Sequence, residues 1–461
     1  MFDNLELFSW LLMVLAVIFV LLVVMILNKM KSSSNSYSSQ MKEVRKNEKD
    51  LRYRIKKDIR KSTLIGHNGR MAVYTPDNAK HIFICGTTGS GKTVALSNYI
   101  KQAFNEDYPA LIIDGKGDID KDSILSIVKQ FSREKTYIIN LTDPSQSNKY
   151  NPFKNANPTV CKDMLINLTN WSEEHYKLNT ERYLQKVITL MNMRKIPLSF
   201  NTIIKHIPAE QFINLSMELI KDNVISKEEH LSNIELSNIS GGIAESAAAR
   251  FSLLLESELG MIFHEDGIDI SSALKENAVI VFILNPLLYP ETSVLMGRLV
   301  LIDSKKAVSH LFNNERRSFF IFDEINSYAS AVLLDLVNKS RSANVTCILS
   351  TQSLSDLDYA VDENFKEQVI ENCNNYILLR QNSAKNAENW ANIIGTRKTV
   401  DTTYQLGDKT GRTAPTGMGT LKFTKEYIFH PDDIKNLNLG EGFYISKDNG
   451  QKIKIKIHKP F

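Results

Sequence analysis

Apolar and polar positions along this chain follow two rhythms. One is a set of short continuous runs: Met71–Tyr74, Ile82–Cys85, Ala110–Ile113, Thr136–Leu141, Ala278–Leu284, Phe319–Phe322, Val345–Ser350 and Tyr376–Leu379. Unbroken runs of this length, rich in Ile, Val and Phe, read as strands covered on both faces, the habit of parallel sheets. The other rhythm is helical. Val94, Ala95, Asn98 and Gln102 recur on successive turns after the second run. Strands alternating with helices predict an α/β fold. Between Leu141 and Ala278 the strand runs stop. Leu184, Val187, Ile188 and Met191 share one helix face, Phe212, Leu215 and Leu219 another, and Ala247–Leu255 continues the pattern. An all-α insertion over residues 157–255 follows, with amphipathic stripes that serve as core. Gly395–Thr420, rich in Gly and Thr, reads as a long loop or a hairpin. Phe443–Ser446 and Lys452–Ile457 read as closing strands, and the KIKIKI alternation fits a sheet with one wet face.

The first 30 residues break both rhythms. Phe8–Leu27 is uncharged and about 20 residues long, enough to span a bilayer. A cleaved signal peptide is the rival reading. Asp3 and Glu6 stand where it needs a basic start, the run is too long, and no small-residue cleavage site follows. The expectation is a retained anchor at residues 1–30 and a basic juxtamembrane linker at 31–61, with the polar SSSNSYSS at Ser32–Ser39 and a short linking helix over 41–61.

Charge then sets orientation. Residues 29–61 hold 12 Lys and Arg against 4 Asp and Glu, while the chain as a whole carries only +4. The basic excess is juxtamembrane, so the body after it lies in the cytoplasm of a single-pass protein of the cell membrane. The same run serves as a flank touching anionic lipid. At 461 residues the length allows two or three domains. Cys85, Cys161, Cys347 and Cys373 lie far apart, so packing fits them better than disulfides or a metal.

The chemistry concentrates in HIFICGTTGSGKTV, starting at His81. A strand, a loop Gly86-Thr87-Thr88-Gly89-Ser90-Gly91-Lys92-Thr93 and a helix in that order make a P-loop. Its glycines let backbone wrap a phosphate, and backbone N–H groups at the helix start face the anion. Lys92 reaches the β- and γ-phosphates, and the Thr93 hydroxyl ligates Mg²⁺. ATP and Mg²⁺ are the implied cofactors. Phe319–Phe322 runs into Asp323 and Glu324, one acid for the Mg²⁺ shell and one to polarise the attacking water. Val345–Ser350 ends in Thr351 and Gln352, a polar tip suited to sensing the γ-phosphate. Asp114-Gly115-Lys116-Gly117-Asp118 closes another strand, where ligand loops of open α/β sheets sit, though alone it is only a charged turn.

GTTGSGKT, LIIDGKGD, YNPF at Tyr150–Phe153, the helical insertion, FFIFDE and STQS, in this order, resemble the type IV secretion coupling proteins. These are the VirD4/TraG/TraD group of the HerA/FtsK superfamily of P-loop ATPases. The resemblance spans about residues 62–447 and is carried further by VNKSRSANVTCILSTQSLSDL and VIENCNNYILLRQ. It implies a RecA-like P-loop domain at 62–156 and 256–461 interrupted by the all-α domain, in a membrane-anchored homo-hexamer. It implies ATP hydrolysis coupled to transfer of relaxase-bound DNA through type IV secretion channel components; single-stranded DNA is the expectation, and nothing in the sequence itself fixes strandedness. Lys92, Thr93, Asp323, Glu324 and Gln352 match the family's phosphate, metal, acid and sensor positions. Arg341 matches an arginine proposed to reach a neighbouring subunit's nucleotide, against the plainer reading of a surface arginine paired with a carboxylate. Many family members have two spans where this chain shows one.

Two relatives of that reading stay open. An FtsK-like duplex DNA translocase would bring several spans and a C-terminal winged helix, and little sequence follows Phe443. A VirB4-like ATPase driving protein secretion or channel assembly is less easily set aside. A third, of another class, is a scaffold whose hydrolysis only gates an interaction, which intact Lys92, Asp323 and Glu324 argue against. The near-neutral body marks no basic stripe for DNA. Lys398, Lys409 and Arg412 in the Gly/Thr-rich segment are the candidates for contact, against the plainer reading of an exposed loop.

Overall fold

A computed structural model describes residues 17–28, 61–78, 81–131, 133–168, 171, 173–312, 316–358, 360–362, 364–409 and 412–460. Eleven strands of these residues form one sheet. They are β1 (Ser62–Asn68), β2 (Met71–Pro76), β3 (Ile82–Cys85), β4 (Ala110–Asp114), β5 (Thr136–Asn140), β6 (Val279–Ile283), β7 (Ser318–Asp323), β8 (Val345–Thr351), β9 (Asn375–Leu378), β12 (Glu441–Ser446) and β13 (Gln451–Ile457). The order is β2-β1-β13-β12-β9-β3-β8-β7-β4-β6-β5. From β9 to β5 every pairing is parallel. From β9 to β2 every pairing is antiparallel. The fold is thus α/β and RecA-like.

The two halves of the sheet follow from their sequences. Every residue of β3, β4, β6, β7, β8 and β9 is buried, in keeping with their predominantly apolar sequences. The helix Lys92–Asn105 presses Leu96, Tyr99 and Ile100 onto Ile84, Ile112 and Ile321. In β13 the alternation sends Ile455 and Ile457 inward and leaves Lys454 and Lys456 outside. β1 was missing from the sequence reading: STLIGHN has no apolar run, and pairing with β13 and β2 makes it a strand.

Helices Pro158–Leu168, Glu174–Met193, Phe200–His206, Ala209–Lys221 and Lys227–Glu256 fill the stretch without strands. The predicted stripes are core: Leu184, Val187, Ile188, Met191, Phe212, Leu215 and Leu219 are all buried. These helices belong to the same compact unit as the sheet, and aromatic packing explains why. Phe200 stacks edge-on against Phe153 (4.7 Å) and Phe263 (4.9 Å), so the YNPF turn is a seam. Its Tyr150 is fully buried, and the hydroxyl donates to Asp303 Oδ2 at 2.9 Å, whose other oxygen pairs with Lys306 at 2.8 Å.

The ring of His81 binds the opposite, amino edge of the sheet. Its Nδ1 accepts the Cys347 N–H at 3.0 Å, and Nε2 lies 3.5 Å from Ser340 Oγ. Its carbonyl accepts from Asn374 N–H at 3.2 Å. Burial, with Arg341 beside it, pushes the imidazole down to about 4, so it stays neutral. All four cysteines are buried, and none is in a disulfide.

The second compact unit contains a two-stranded ribbon, β10 (Thr396–Lys409) and β11 (Arg412–Tyr427), paired antiparallel. The Gly/Thr-rich segment is therefore a hairpin. Residues 17–28 are helical and exposed. The rest of Phe8–Leu27, the Ser32–Ser39 linker and the helix expected over 41–61 lie outside the described residues, save Lys61. Among the described residues no helix is long and apolar enough to cross a membrane.

Tyr150→Phe removes the donor to a buried carboxylate and leaves the seam's shape intact. It is expected to cost about 1–3 kcal/mol, read as a lower denaturant midpoint with unchanged slope.

Candidate nucleotide site

The strand order decides what meets at the carboxyl edge. β3 lies between β8 and β9, and β7 lies between β8 and β4. The loops that follow β3, β4, β7 and β8 therefore face one another, at a position where open α/β sheets bind ligands.

The P-loop is gripped from several strands. Gly86 N–H donates to Thr351 O at 3.3 Å, Thr87 N–H to Arg380 O at 3.0 Å, and Gly440 N–H to Ser90 O at 3.2 Å. Ser90 Oγ donates back to Thr87 O at 2.6 Å. Gly89 and Gly91 take φ of 73° and 109°, which a side chain would oppose. The helix then starts at Lys92, aiming its first N–H groups into the loop.

Lys92 sits at the centre. Its Nζ donates to Gly86 O at 2.9 Å and lies 3.6 Å from Glu324 Oε2. Glu324 adopts a left-handed conformation, φ 50° and ψ 51°, rare for a residue with a side chain. This bend follows Asp323 at the end of β7, and the Tyr328 hydroxyl braces it by donating to Asp323 O at 2.9 Å. Ser350 Oγ (2.7 Å) and Glu324 N–H (3.0 Å) both donate to Asp323 Oδ1, which leaves Oδ2 as the oxygen available to a cation. Thr88 Oγ1 donates to Gln352 Oε1 at 3.0 Å, so the polar tip of β8 is tied to the P-loop itself.

Burial dominates the electrostatics. It raises the Asp323 and Glu324 carboxyls above their ordinary values, against the pull of Lys92. Asp114 is the register partner of Asp323 across β4 and β7. Burial, with the Asp323 charge beside it, pushes Asp114 up to about 7, although Lys116 and Gly117 N–H groups donate to its Oδ1 at 3.0 and 3.1 Å.

Thr87, Thr88, Gly89, Gly91, Lys92, Thr93, Asp323, Glu324 and Gln352 line one pocket of about 290 Å³. Gly86 and Ser90 shape it from behind through the bonds above. Thr93 and Asp323 offer hard oxygen donors of the kind Mg²⁺ takes. Thr87 Oγ1 and Glu324 Oε1 are buried without a hydrogen-bond partner among the described residues, which fits a site built for polyphosphate, Mg²⁺ and water. Arg341 lies elsewhere. It is exposed, follows the helix Ala331–Ser340 and precedes β8, at the amino edge of the sheet. Lys409 and Arg412 pair in register at the hairpin tip, and Lys398 sits near its base.

Asp114, Lys116 and Asp118, of the strand-end turn that the sequence marks as a place for ligand loops without assigning it a role, line the same pocket. Other members carry no such mark: Asp120 and Asp122 line it too. Gln381, fully buried, donates from Nε2 to Gln352 O at 3.3 Å and so sets the tip of β8. Its signal was available: Arg380-Gln381 is a polar tip after an apolar strand, as Thr351-Gln352 is. Leu439 also lines the pocket, and no local signal marks it.

Two family models match the chain. The type IV secretion-system coupling protein DNA-binding domain matches residues 68–237. The TraM recognition site of TraD and TraG matches residues 317–439. Together they cover more than half of the chain. It belongs to the type IV coupling protein family. The fold agrees. The bacterial conjugative coupling protein TrwBdeltaN70 superposes with a TM-score of 0.64 at 16% identity, over 88% of this chain and 90% of that one. TrwB in complex with ADP and Mg²⁺ gives 0.59 at 15% identity, over 84% and 88%. VirB4 of Thermoanaerobacter pseudethanolicus gives 0.54 at 14% identity, over 87% and 97%. An uncharacterized protein of Mycoplasma pneumoniae is 32% identical to this coupling protein over 101 residues, 22% of this chain and 67% of that protein.

Asp114 gives a pH signature. Its folded pKa of about 7 lies above the ordinary aspartate value of 3.8, so the stability tied to its proton is full below 3.8 and lost as pH rises through 7. Asn keeps the Oδ1 acceptor and has no proton to lose. Without nucleotide or Mg²⁺, Asp114→Asn is expected to gain melting temperature over the parent progressively between pH 4 and 7, with a constant gap above, by calorimetry.

Proposed function

We propose that this coupling protein is a Mg²⁺-dependent ATPase that drives DNA transfer through a conjugative type IV secretion channel. The match to the coupling-protein DNA-binding domain carries this reading, because the same stretch, residues 68–237, includes the P-loop. TrwB, of the same fold, is a bacterial conjugative coupling protein and has been captured with ADP and Mg²⁺. DNA, a TraM-like relaxosome component and channel proteins are the partners. An anchor at Phe8–Leu27 would hold the ATPase at the cytoplasmic face of the membrane, and a homo-hexameric ring would bring Arg341 to a neighbour's nucleotide. That placement fits its position at the amino edge of the sheet, opposite the edge that carries its own chain's Lys92. Helices within 157–255 form the all-α part, facing incoming substrate.

The residues divide the work. The P-loop N–H groups and Lys92 hold the phosphates, and Lys92 leaves the Gly86 carbonyl to do so. Thr93 and Asp323 would hold Mg²⁺, which neutralises charge on the transferring group. Glu324, raised by burial, takes the proton of the attacking water as oxygen bonds to the γ-phosphorus and the bridge to ADP breaks. Gln352, tied to Thr88, orients that water and reports phosphate departure to β8.

The test measures ATP turnover by the full chain at several protein concentrations, alone, with single-stranded DNA and with duplex. Stimulation by single-stranded DNA that rises steeply with concentration is expected. A duplex preference would favour an FtsK-like pump, and no DNA response in oligomeric protein would leave the VirB4-like reading ahead. Lys92→Ala abolishes turnover. Glu324→Gln lowers kcat by about 10²–10⁴-fold while ATP still binds. Arg341→Ala loses turnover, and mixing it with Lys92→Ala restores part of it, because each variant lacks a different half of a shared site.

A further inference from the structure

The nucleotide pocket has two ends. On the β8 and β7 side of the P-loop stand Gln352, Asp323 and Glu324, and this side takes the terminal phosphate. On the other side come β9 and then β12. The turn before β12, residues 436–440, lies against the P-loop. A Cβ built on Gly91 would stand 3.6 Å from Gly440 Cα. At the tip of this turn Leu439 is 73% exposed, and it lines the pocket together with Val94 of the P-loop helix.

The turn is rigidly tied. Gly440 N–H donates to Ser90 O at 3.2 Å, and Ile457 N–H donates to Gly440 O at 2.7 Å. Asn438 N–H and Nδ2 both donate to Glu441 Oε2 at 3.0 Å, and Lys454 pairs with the same oxygen at 3.2 Å. A leucine fixed in water at the mouth of a phosphate site is a surface kept ready for a flat apolar ligand. We propose that Leu439 is the platform on which the purine base of the bound nucleotide stacks, with Val94 completing the base subsite. The inference rests on the nucleotide reading above. Neither Val94 nor Leu439 offers a hydrogen bond to a base edge, and Asn438 is spent on Glu441. The subsite therefore accepts adenine and guanine alike.

Calorimetric titration of the full chain with ADP, GDP and tripolyphosphate, each with Mg²⁺, tests this. Leu439→Ala is expected to weaken ADP and GDP about tenfold, the scale of a lost apolar contact, and to leave tripolyphosphate unchanged. Leu439→Met restores both nucleotides. Unchanged ADP affinity in Leu439→Ala overturns the proposal. So does an equal loss for tripolyphosphate, which would make the turn a brace for the P-loop. Adenine held far more tightly than guanine by the parent overturns the apolar subsite. If the parent binds none of the three, or Lys92→Ala binds them as well as the parent, the nucleotide reading itself falls, a result distinct from the others.

Discussion

Two carboxyl groups that do not want to be neighbours govern this molecule. Asp114 and Asp323 are register partners at the ends of adjacent buried strands, and the dry interior makes their joint ionisation costly. The surroundings are arranged around that cost. Ser350, the Glu324 amide and the turn at Lys116 and Gly117 supply hydrogen bonds, and Lys92 supplies charge. Asp114 rests near the middle of its titration at neutral pH. A site held this way gains most from a ligand that brings positive charge, so a divalent cation arriving with a polyphosphate relieves a repulsion built into the fold.

The same site explains the bent Glu324. A regular exit from β7 would send its side chain elsewhere. The left-handed residue turns it back to within 3.6 Å of Lys92. Strain at this one residue is what lets the acid share a pocket with the lysine, and the Tyr328 hydroxyl on the Asp323 carbonyl helps hold it.

What could be read in the sequence was what depends on neighbours along the chain. The P-loop announces itself because all of its parts are contiguous. The parallel strands announce themselves because burial on both faces leaves them mostly apolar, with the polar residues mainly at or near their ends. β1 does not, because it is a strand only through its partners. The site divides the same way. Lys92, Thr93, Asp323, Glu324 and Gln352 stand at ends of legible strands or loops. Asp114 gains its meaning from β4 lying beside β7, Gln381 from β9 lying beside β3, and Leu439 from β12 lying beyond β9, and strand order is not written in any local pattern. Arg341 was legible only by likeness, and its place at the far edge is a matter of topology.

The imidazole of His81 ties the first residue before β3 to the backbone of β8 and faces the helix end that carries Arg341. β3 is four residues long and runs from this anchor straight into the P-loop. Close-packed strands compress very little. The sheet is therefore a rigid plate gripped at both rims: when phosphates pull on one rim, the other has no slack with which to stay behind.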